Sequence, residues 1–243
     1  MGRDLTLPST RLISAAHLAA DILFEGENSK EMFAIDVGCD HAKLAIYLIQ
    51  SGICKSVLAS DINEGPVKKA RANVLRRRFW NSTLDKYIRV QQNDGLKGYE
   101  NERADRVFIL GMGGELIASI LEQAGFVKDS ERKTGYILQP MTSEYELRRY
   151  LYGNGFDIKK EELVLDKGRI YSVMLCVYDG VVRVKSECEL YIGEYNIKNK
   201  GELFAPYLER KINIQKKLIS SLEKAGKNAD EHIELVKEFE KQI

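Results

Sequence analysis

The sequence predicts an α/β protein: a doubly wound, mostly parallel, seven-stranded sheet over residues 1–180, and a C-terminal helical hairpin over 181–243. Three observations carry this. Short apolar runs alternate with amphipathic stretches as far as residue 152, the pattern of parallel strands covered by helices on both faces. Two longer strand-like runs then stand close enough to pair as a hairpin, adding antiparallel strands at the sheet edge. After Asp179-Gly180 the character changes: Lys, Glu, Leu and Ile dominate, with apolar residues at helical spacing.

The elements follow in order. Residues 9–24 (STRLISAAHLAADILF) repeat apolar side chains at helical spacing, with Ser9 or Thr10 as N-cap. FAIDV at 33–37 predicts a buried strand, and the turn Gly38-Cys39-Asp40-His41 leads into a helix over 42–51. SVLAS at 56–60 is a second strand ending at Asp61, and a basic helix follows from Gly65 to Phe79. YIRVQQ at 87–92 is a third, stopping at Asn93-Asp94-Gly95. DRVFIL at 105–110 is a fourth, stopping at a loop Gly111-Met112-Gly113-Gly114, with a helix over 115–124. GYILQ at 135–139 is a fifth, closed by Pro140 and followed by a helix over 143–152. Strands over 156–165 and 169–178 complete the sheet. In the tail, Leu208, Ile212, Leu218, Ile219, Leu222, Ile233, Val236 and Phe239 predict two helices, 203–224 and 228–242, joined at Ala225-Gly226-Lys227-Asn228.

Composition excludes several classes. The chain is 44% hydrophobic and 30% charged, enough apolar content for a packed core. No apolar run approaches the ~20 residues that span a bilayer, and MGRDLTLPSTRL lacks the apolar stretch of a signal peptide. Gly2 gives only a loose myristoylation match. Cys39, Cys54, Cys176 and Cys188 show no paired spacing, and His17, His41 and His232 are scattered. A cytoplasmic protein with reduced, mostly buried cysteines and no metal is expected. A formal net charge of +1 excludes bulk basicity, so any nucleic-acid contact must come from local patches. The run KKARANVLRRR at 68–78 is one such stretch, although a solvated helix face explains it as well.

The chemistry-bearing residues gather where α/β sheets bind ligands, at the carboxyl ends of the strands. Gly38 permits a tight turn and close backbone approach. The turn is not a dinucleotide fingerprint, since Asp40 and Lys43 stand where glycines would be required, and no Walker A loop is present. A nicotinamide-dependent oxidoreductase is therefore disfavoured. A ligand carrying positive charge and an ammonium group tolerates Asp36 and Asp40 better than a phosphate does; S-adenosylmethionine is such a ligand. Asp61, about twenty residues beyond the first turn, can accept hydrogen bonds from ribose hydroxyls. Asp94 can reach the adenine amine, with Gly95 allowing the chain close to the base. The glycines at 111, 113 and 114 leave room for a second flat ligand on which Met112 can pack. Taken singly, each aspartate can be a cap and each glycine an ordinary turn; their recurrence along one sheet edge is the signal. His41 reads as a capping residue or a support behind the site rather than a base, and Tyr47 and Tyr150 as core rather than stacking platforms.

The stretches IDVGCDHAKLAIYLIQSGI, SDINEGPVKKARANV, NDGL, ILGMGG and YILQP, with Arg11-Leu12 before them, resemble the TrmK-type bacterial tRNA (adenine-N1)-methyltransferases. The resemblance covers residues 7–180 and continues weakly through LFAPYLERKI. It implies a class I, Rossmann-like SAM-methyltransferase domain with a coiled-coil-like helical tail, acting on N1 of adenine 22 in the D-arm region of tRNA. The implied cofactor is S-adenosyl-L-methionine and the implied partner tRNA, with no membrane or metal; a monomer or weak dimer is expected. The cofactor would lie against Asp36, Gly38, Asp40, His41, Asp61, Ile62, Asn63, Asn93, Asp94, Gly95 and Gly111. The reacting base would meet Asp40, Gly111, Met112, Gly113, Gln139 and Pro140. Arg11, Lys43, Arg148 and Arg149 are the candidates for tRNA phosphates. The family's pattern continues LQP with Asn, where this chain has Met141, and the stretch 76–86 carrying Trp80 is longer than usual. Two alternatives share the cofactor features: a class I methyltransferase acting on a small molecule or protein, and a SAM-binding module without turnover.

Overall fold

The computed structural model describes residues 8–21, 31–77 and 84–243. The ends of two expected helices, 22–24 and 78–79, and Trp80 lie outside the described residues. One seven-stranded sheet is built from β1 (Phe33–Val37), β2 (Ser56–Asp61), β3 (Ile88–Gln92), β4 (Arg106–Gly113), β5 (Gly135–Thr142), β6 (Phe156–Asp166) and β7 (Arg169–Tyr178), in the order β3-β2-β1-β4-β5-β7-β6. The first five strands are parallel, while β7 runs antiparallel to both β5 and β6. Winding reverses between β1 and β4, so their carboxyl ends form the switch point where such sheets bind ligands.

Alternate residues of the central strands serve opposite layers. Phe108 of β4 packs with α1 (Thr10–Asp21), α2 (Lys43–Gln50) and α3 (Glu64–Arg77), through Leu18, Leu48 and Val74. Val107 and Ile109 face the other way, toward Ile117 and Leu121 of α5 (Gly114–Gln123) and Leu147 of α6 (Glu144–Gly153). A short helix, α4 (Leu84–Tyr87), leads into β3. Burial on both faces explains why β1 and β2 read as mainly apolar runs without polar alternation, their carboxylates confined to the carboxyl ends. Strand β6, at the sheet edge, instead carries Lys159, Lys160 and Glu162, charges that discourage edge-to-edge pairing. The β6–β7 turn is Lys167-Gly168, both at positive φ (48° and 76°), a twist that suits a two-residue hairpin. The four cysteines are free and buried. Among the described residues no helix is long and apolar enough to cross a membrane.

The structure departs from expectation in three places. Gly111-Met112-Gly113 is not a loop: β4 runs through it, and β5 runs past Pro140 to Thr142. The register slips twice there, leaving Gly111 extra in β4 and Met141 extra in β5, a pair of bulges that sequence periodicity does not reveal. At the start of α1, the Ser9 carbonyl accepts the Ile13 N–H, but its buried hydroxyl makes no hydrogen bond. The tail holds α7 (Glu187–Ile192) and α8 (Glu194–Asn199) before the expected pair, α9 (Phe204–Lys224) and α10 (Asp230–Glu240). Six residues are too few to show apolar periodicity; the readable trace of α7 was its capping box, Ser186 with Glu189.

The tail is locked to the sheet by charge as well as by apolar packing. Tyr207, Leu208, Ile212 and Phe239 form its core, with Leu163 and Ile170 of the β6–β7 hairpin packed against it. Beneath them Arg148 of α6 is fully buried. Its Nη2 donates to Glu161 Oε1 at 2.6 Å, and its Nη1 donates to the carbonyls of Leu190 and Tyr191 at 2.8 and 3.2 Å. Glu144 accepts from the Tyr207 hydroxyl at 2.7 Å and from Lys211 Nζ at 2.6 Å. Burial opposes the Arg148 charge, but Glu161, Tyr207 and Glu144 together outweigh it and hold the guanidinium above its ordinary range. Arg148→Met strands the Glu161 carboxylate in the interior and should cost about 3–5 kcal/mol in urea unfolding. The double variant Arg148→Met/Glu161→Leu should recover most of that loss, because no uncompensated charge remains.

Candidate active site

The centre of the site is the turn that leaves β1. Gly38 has φ +73°, and the N–H groups of Gly38 and Cys39 both donate to the Ser60 carbonyl at 2.8 Å. This ties the turn to β2. Asp40 (φ 47°) and Ala42 (φ 53°) also take the left-handed conformation, a strained path for residues with a Cβ. The path brings α2 in with its first residue, Lys43, exposed to solvent.

Asp36, one residue before the end of β1, is 4% exposed, and its Oδ2 has no hydrogen-bond partner. Burial pushes its pKa up to about 7, assisted by the charge of Asp61 and opposed by the Ala45 backbone N–H. A buried carboxylate with one open oxygen is costly unless a cationic or donor group meets it. Gly38 has a second reason to be glycine: a Cβ there would stand 2.2 Å from Met112 Cε. Met112 is half-buried, so a thioether from β4 rests directly on the β1 turn.

Further along the edge, Asp61 Oδ1 accepts the Asn63 N–H at 2.9 Å, and the Asp61 carbonyl accepts the Asn93 N–H at 3.0 Å. Ile62 is exposed, and its carbonyl accepts from Gln92 Nε2 at 2.8 Å. The Asn93 amide donates to the carbonyls of Gly95 and Lys97 at 3.1 and 3.0 Å, shaping the next turn. Asp94 is exposed and pairs with Lys97. Gly95 (φ +58°) packs on Ile120 of α5, which a Cβ would approach to 3.2 Å. The cofactor candidates Asp36, Gly38, Asp61, Asn93 and Gly95 therefore stand in a row along the carboxyl edge. Exposed Asp40 lies 3.3 Å from His41 Nε2, and the His41 carbonyl accepts from Asn73 at 3.0 Å, while the cap position of α2 is Ala42 and not His41.

Across the switch point lie Gly111, Gly113, Gln139 and Pro140. Gly114 admits no other residue, since its Cβ would meet the Ser143 carbonyl oxygen at 2.1 Å, backbone against backbone. Gln139, expected to touch a base edge, is fully buried and committed: its Oε1 accepts from Arg11 Nη1 and its Nε2 donates to the Pro140 carbonyl at 2.6 Å. Met141 Sδ accepts from the same Arg11 nitrogen at 3.1 Å, so a thioether serves as acceptor at the position that departs from the family pattern. Arg11 thus stands between Gln139 and the open edge, and Gly111 is exposed beside it. Arg148 requires correction. Expected at the rim with Arg149, it is buried under the tail and reaches no phosphate, because the Glu161 carboxylate claims it. Arg149 is exposed on α6. Sequence reading missed Asp166 and Tyr171, which hold Arg11 from the hairpin; residues 155 positions apart give no local signal of contact.

A 3-2-1-4-5-7-6 sheet with an acid-lined, glycine-turned carboxyl edge defines the class I methyltransferase fold. The residues present fit the methyl donor: an open buried carboxylate suits an ammonium group, and Gly38 allows close backbone approach. Comparison with known proteins narrows the class. The profile of TrmK, tRNA (adenine(22)-N(1))-methyltransferase, matches residues 34–243, and the chain belongs to this family. It is 32% identical over 177 residues to the tRNA (adenine(22)-N(1))-methyltransferase of Bacillus subtilis, covering 70% of each chain. Streptococcus pneumoniae Sp1610, solved in complex with S-adenosyl-L-methionine, superimposes with a TM-score of 0.77 at 27% identity, over 95% of this chain and 98% of that one. M. capricolum TrmK, solved with S-adenosyl-homocysteine, gives 0.74 at 26% identity, over 97% and 96%.

Two outcomes follow from this geometry. Gly114→Ala should destabilise the fold by about 1–3 kcal/mol, whereas Gly125→Ala, with nothing within 4 Å, should not; thermal unfolding compares them. Asp36 binds its proton more tightly folded than unfolded, so its contribution to stability falls as pH rises from about 4 to about 7. Asp36→Asn should therefore raise the melting temperature of the ligand-free protein at pH 8 and leave it nearly unchanged at pH 4.

Proposed function

We propose that this protein transfers the methyl group of S-adenosylmethionine to N1 of adenine 22 in tRNA. The observation that carries the reading is Asp36: a buried, half-satisfied carboxylate at the switch point, in a chain of the TrmK family. S-adenosylmethionine supplies an electrophilic methyl group on a sulfonium; the chain supplies placement. Asp36 meets the ammonium of the amino-acid portion, Asp61 takes the ribose hydroxyls, and the turn at Asn93, Asp94 and Gly95 takes the adenine. His41, Ile62 and Asn63 complete that lining.

Adenine N1 attacks through an in-plane lone pair, so no base need remove a proton first. The demand is alignment at near-attack distance. The bulged edge at Gly111, Met112 and Gly113, backed by Pro140, offers a flat, side-chain-poor surface for the ring. The methylated ring becomes cationic while the sulfonium charge disappears, so a carboxylate near the ring lowers the barrier. Asp40, exposed on its left-handed turn, takes this role. The target base must leave its stack to enter, at a few kcal/mol. Arg11, Lys43 and Arg149 are the cations left to meet phosphates.

The deciding experiment incubates the protein with labelled S-adenosylmethionine and unmodified bacterial tRNA and maps the modified nucleoside. 1-Methyladenosine at position 22 is expected; label on another base, or none, overturns the assignment. Asp40→Asn removes charge while tolerating positive φ. It should lower kcat about tenfold to hundredfold with little change in cofactor affinity. Asp36→Asn should instead weaken cofactor binding measured by calorimetry. Because the ammonium favours ionised Asp36, binding to the native protein should tighten as pH rises through about 7.

A further inference from the structure

Arg11 is more constrained than a surface phosphate contact needs to be. It sits in the first turn of α1, and only 20% of its side chain is exposed. Its Nε donates to Asp166 Oδ2 at 2.8 Å; Asp166 is the last residue of β6 and is itself buried. The guanidinium carbon lies 4.8 Å from the centroid of the Tyr171 ring of β7. Nη1 spends its hydrogens on Gln139 Oε1 and Met141 Sδ. A guanidinium has five N–H donors. Three are committed to the protein, and among the described residues nothing accepts from Nη2. The same head stands beside the reacting edge, with Nη1 4.0 Å from where a Gly111 Cβ would be.

We propose that Asp166 and Tyr171, from the antiparallel hairpin, are positioning residues that hold Arg11 so that its Nη2 donates to a phosphate oxygen of the nucleotide being methylated. The inference rests on the function proposed above. The choice of phosphate over base follows from charge. A guanidinium on the ring edge would repel a ring that turns cationic, whereas an anionic phosphate oxygen accepts a charge-assisted hydrogen bond from Nη2. The held arginine acts as a ruler: with the phosphate fixed beside Gly111, the base reaches the bulged edge at one depth. Asp166 also makes the head close to neutral as a pair, which limits its effect on the charge developing nearby. On this view the hairpin, which lies outside the nucleotide-binding half of the sheet, supplies part of the substrate site.

The test uses the full-length protein with Arg11→Gln, Arg11→Lys, Asp166→Asn and Tyr171→Leu. It measures tRNA Kd against salt, KM and kcat for tRNA, and S-adenosylmethionine Kd as a check on folding. Arg11→Gln should flatten the log Kd against log salt slope by about one phosphate contact. It should raise KM for tRNA about tenfold, with cofactor affinity kept. Arg11→Lys should keep the slope but not the KM, because an ammonium has no planar head to hold Asp166, Gln139 and the phosphate at once. Asp166→Asn and Tyr171→Leu should keep the salt slope, since the cation remains, and raise KM severalfold. If Arg11→Gln leaves the slope unchanged, or lowers kcat alone, the phosphate contact is wrong. If both hairpin variants match the native protein, the positioning role is wrong; should one lose cofactor binding through misfolding, the other decides. Binding is read separately from turnover, so a native protein that binds tRNA without methylating it refutes the proposed function and leaves this contact tested.

Discussion

The site depends on a carboxylate that the fold buries without fully satisfying. Asp36 lies at the end of a strand whose neighbours on both sides are apolar, and one of its oxygens meets no donor within the described protein. Alone, it is pushed toward the neutral form by burial and by Asp61. A cation or hydrogen-bond donor placed against it would favour the ionised form. The turn from Gly38 to Ala42 serves this end. It is anchored to Ser60, strained at two residues, and closed by Met112 where any Cβ at position 38 would collide. Local instability and ligand affinity here have one cause.

A second constraint shapes the neighbouring stretch of the sheet edge. Strands β4 and β5 each carry an extra residue at their carboxyl ends, Gly111 and Met141, so the two bulges face one another. Bulges turn side chains off the regular alternation of a strand. Here they leave an exposed glycine edge on β4 and aim Met141 at Arg11. Gly114 then lets α5 start hard against the backbone that begins α6. Irregular backbone held between regular strands thus shapes this edge.

The tail is joined to the catalytic half by buried ion pairs rather than by a flexible linker alone. Arg148 with Glu161, and Glu144 with Lys211, run from α6 and β6 to the carbonyls of α7 and to α9. Burying such charges stabilises little in net terms, but displacing one partner is expensive, so the arrangement specifies a single docking of the tail. The tail is therefore held in a set position against α6 and the β6–β7 hairpin.

The layout of the sheet was legible in the sequence because parallel, doubly covered strands must be apolar runs, and the segments between them must be amphipathic. The acidic and glycine turns after β1, β2 and β3 were legible for a similar reason. Each is local, and its residue type states its backbone demand. What the sequence could not decide were relations between distant segments. Arg148 and Arg11 are both arginines on helices that flank the sheet, equally plausible at a site rim from sequence. Only packing sends one beneath the tail to Glu161 and the other to Asp166 and Tyr171 beside Gly111. Likewise GMGG reads as a loop until β5 is laid beside it and the register slips. A single chain records its own torsional and hydrophobic preferences. Which buried charge finds which partner is fixed only when strands and helices far apart in sequence are pressed together, and that is set by the tertiary structure.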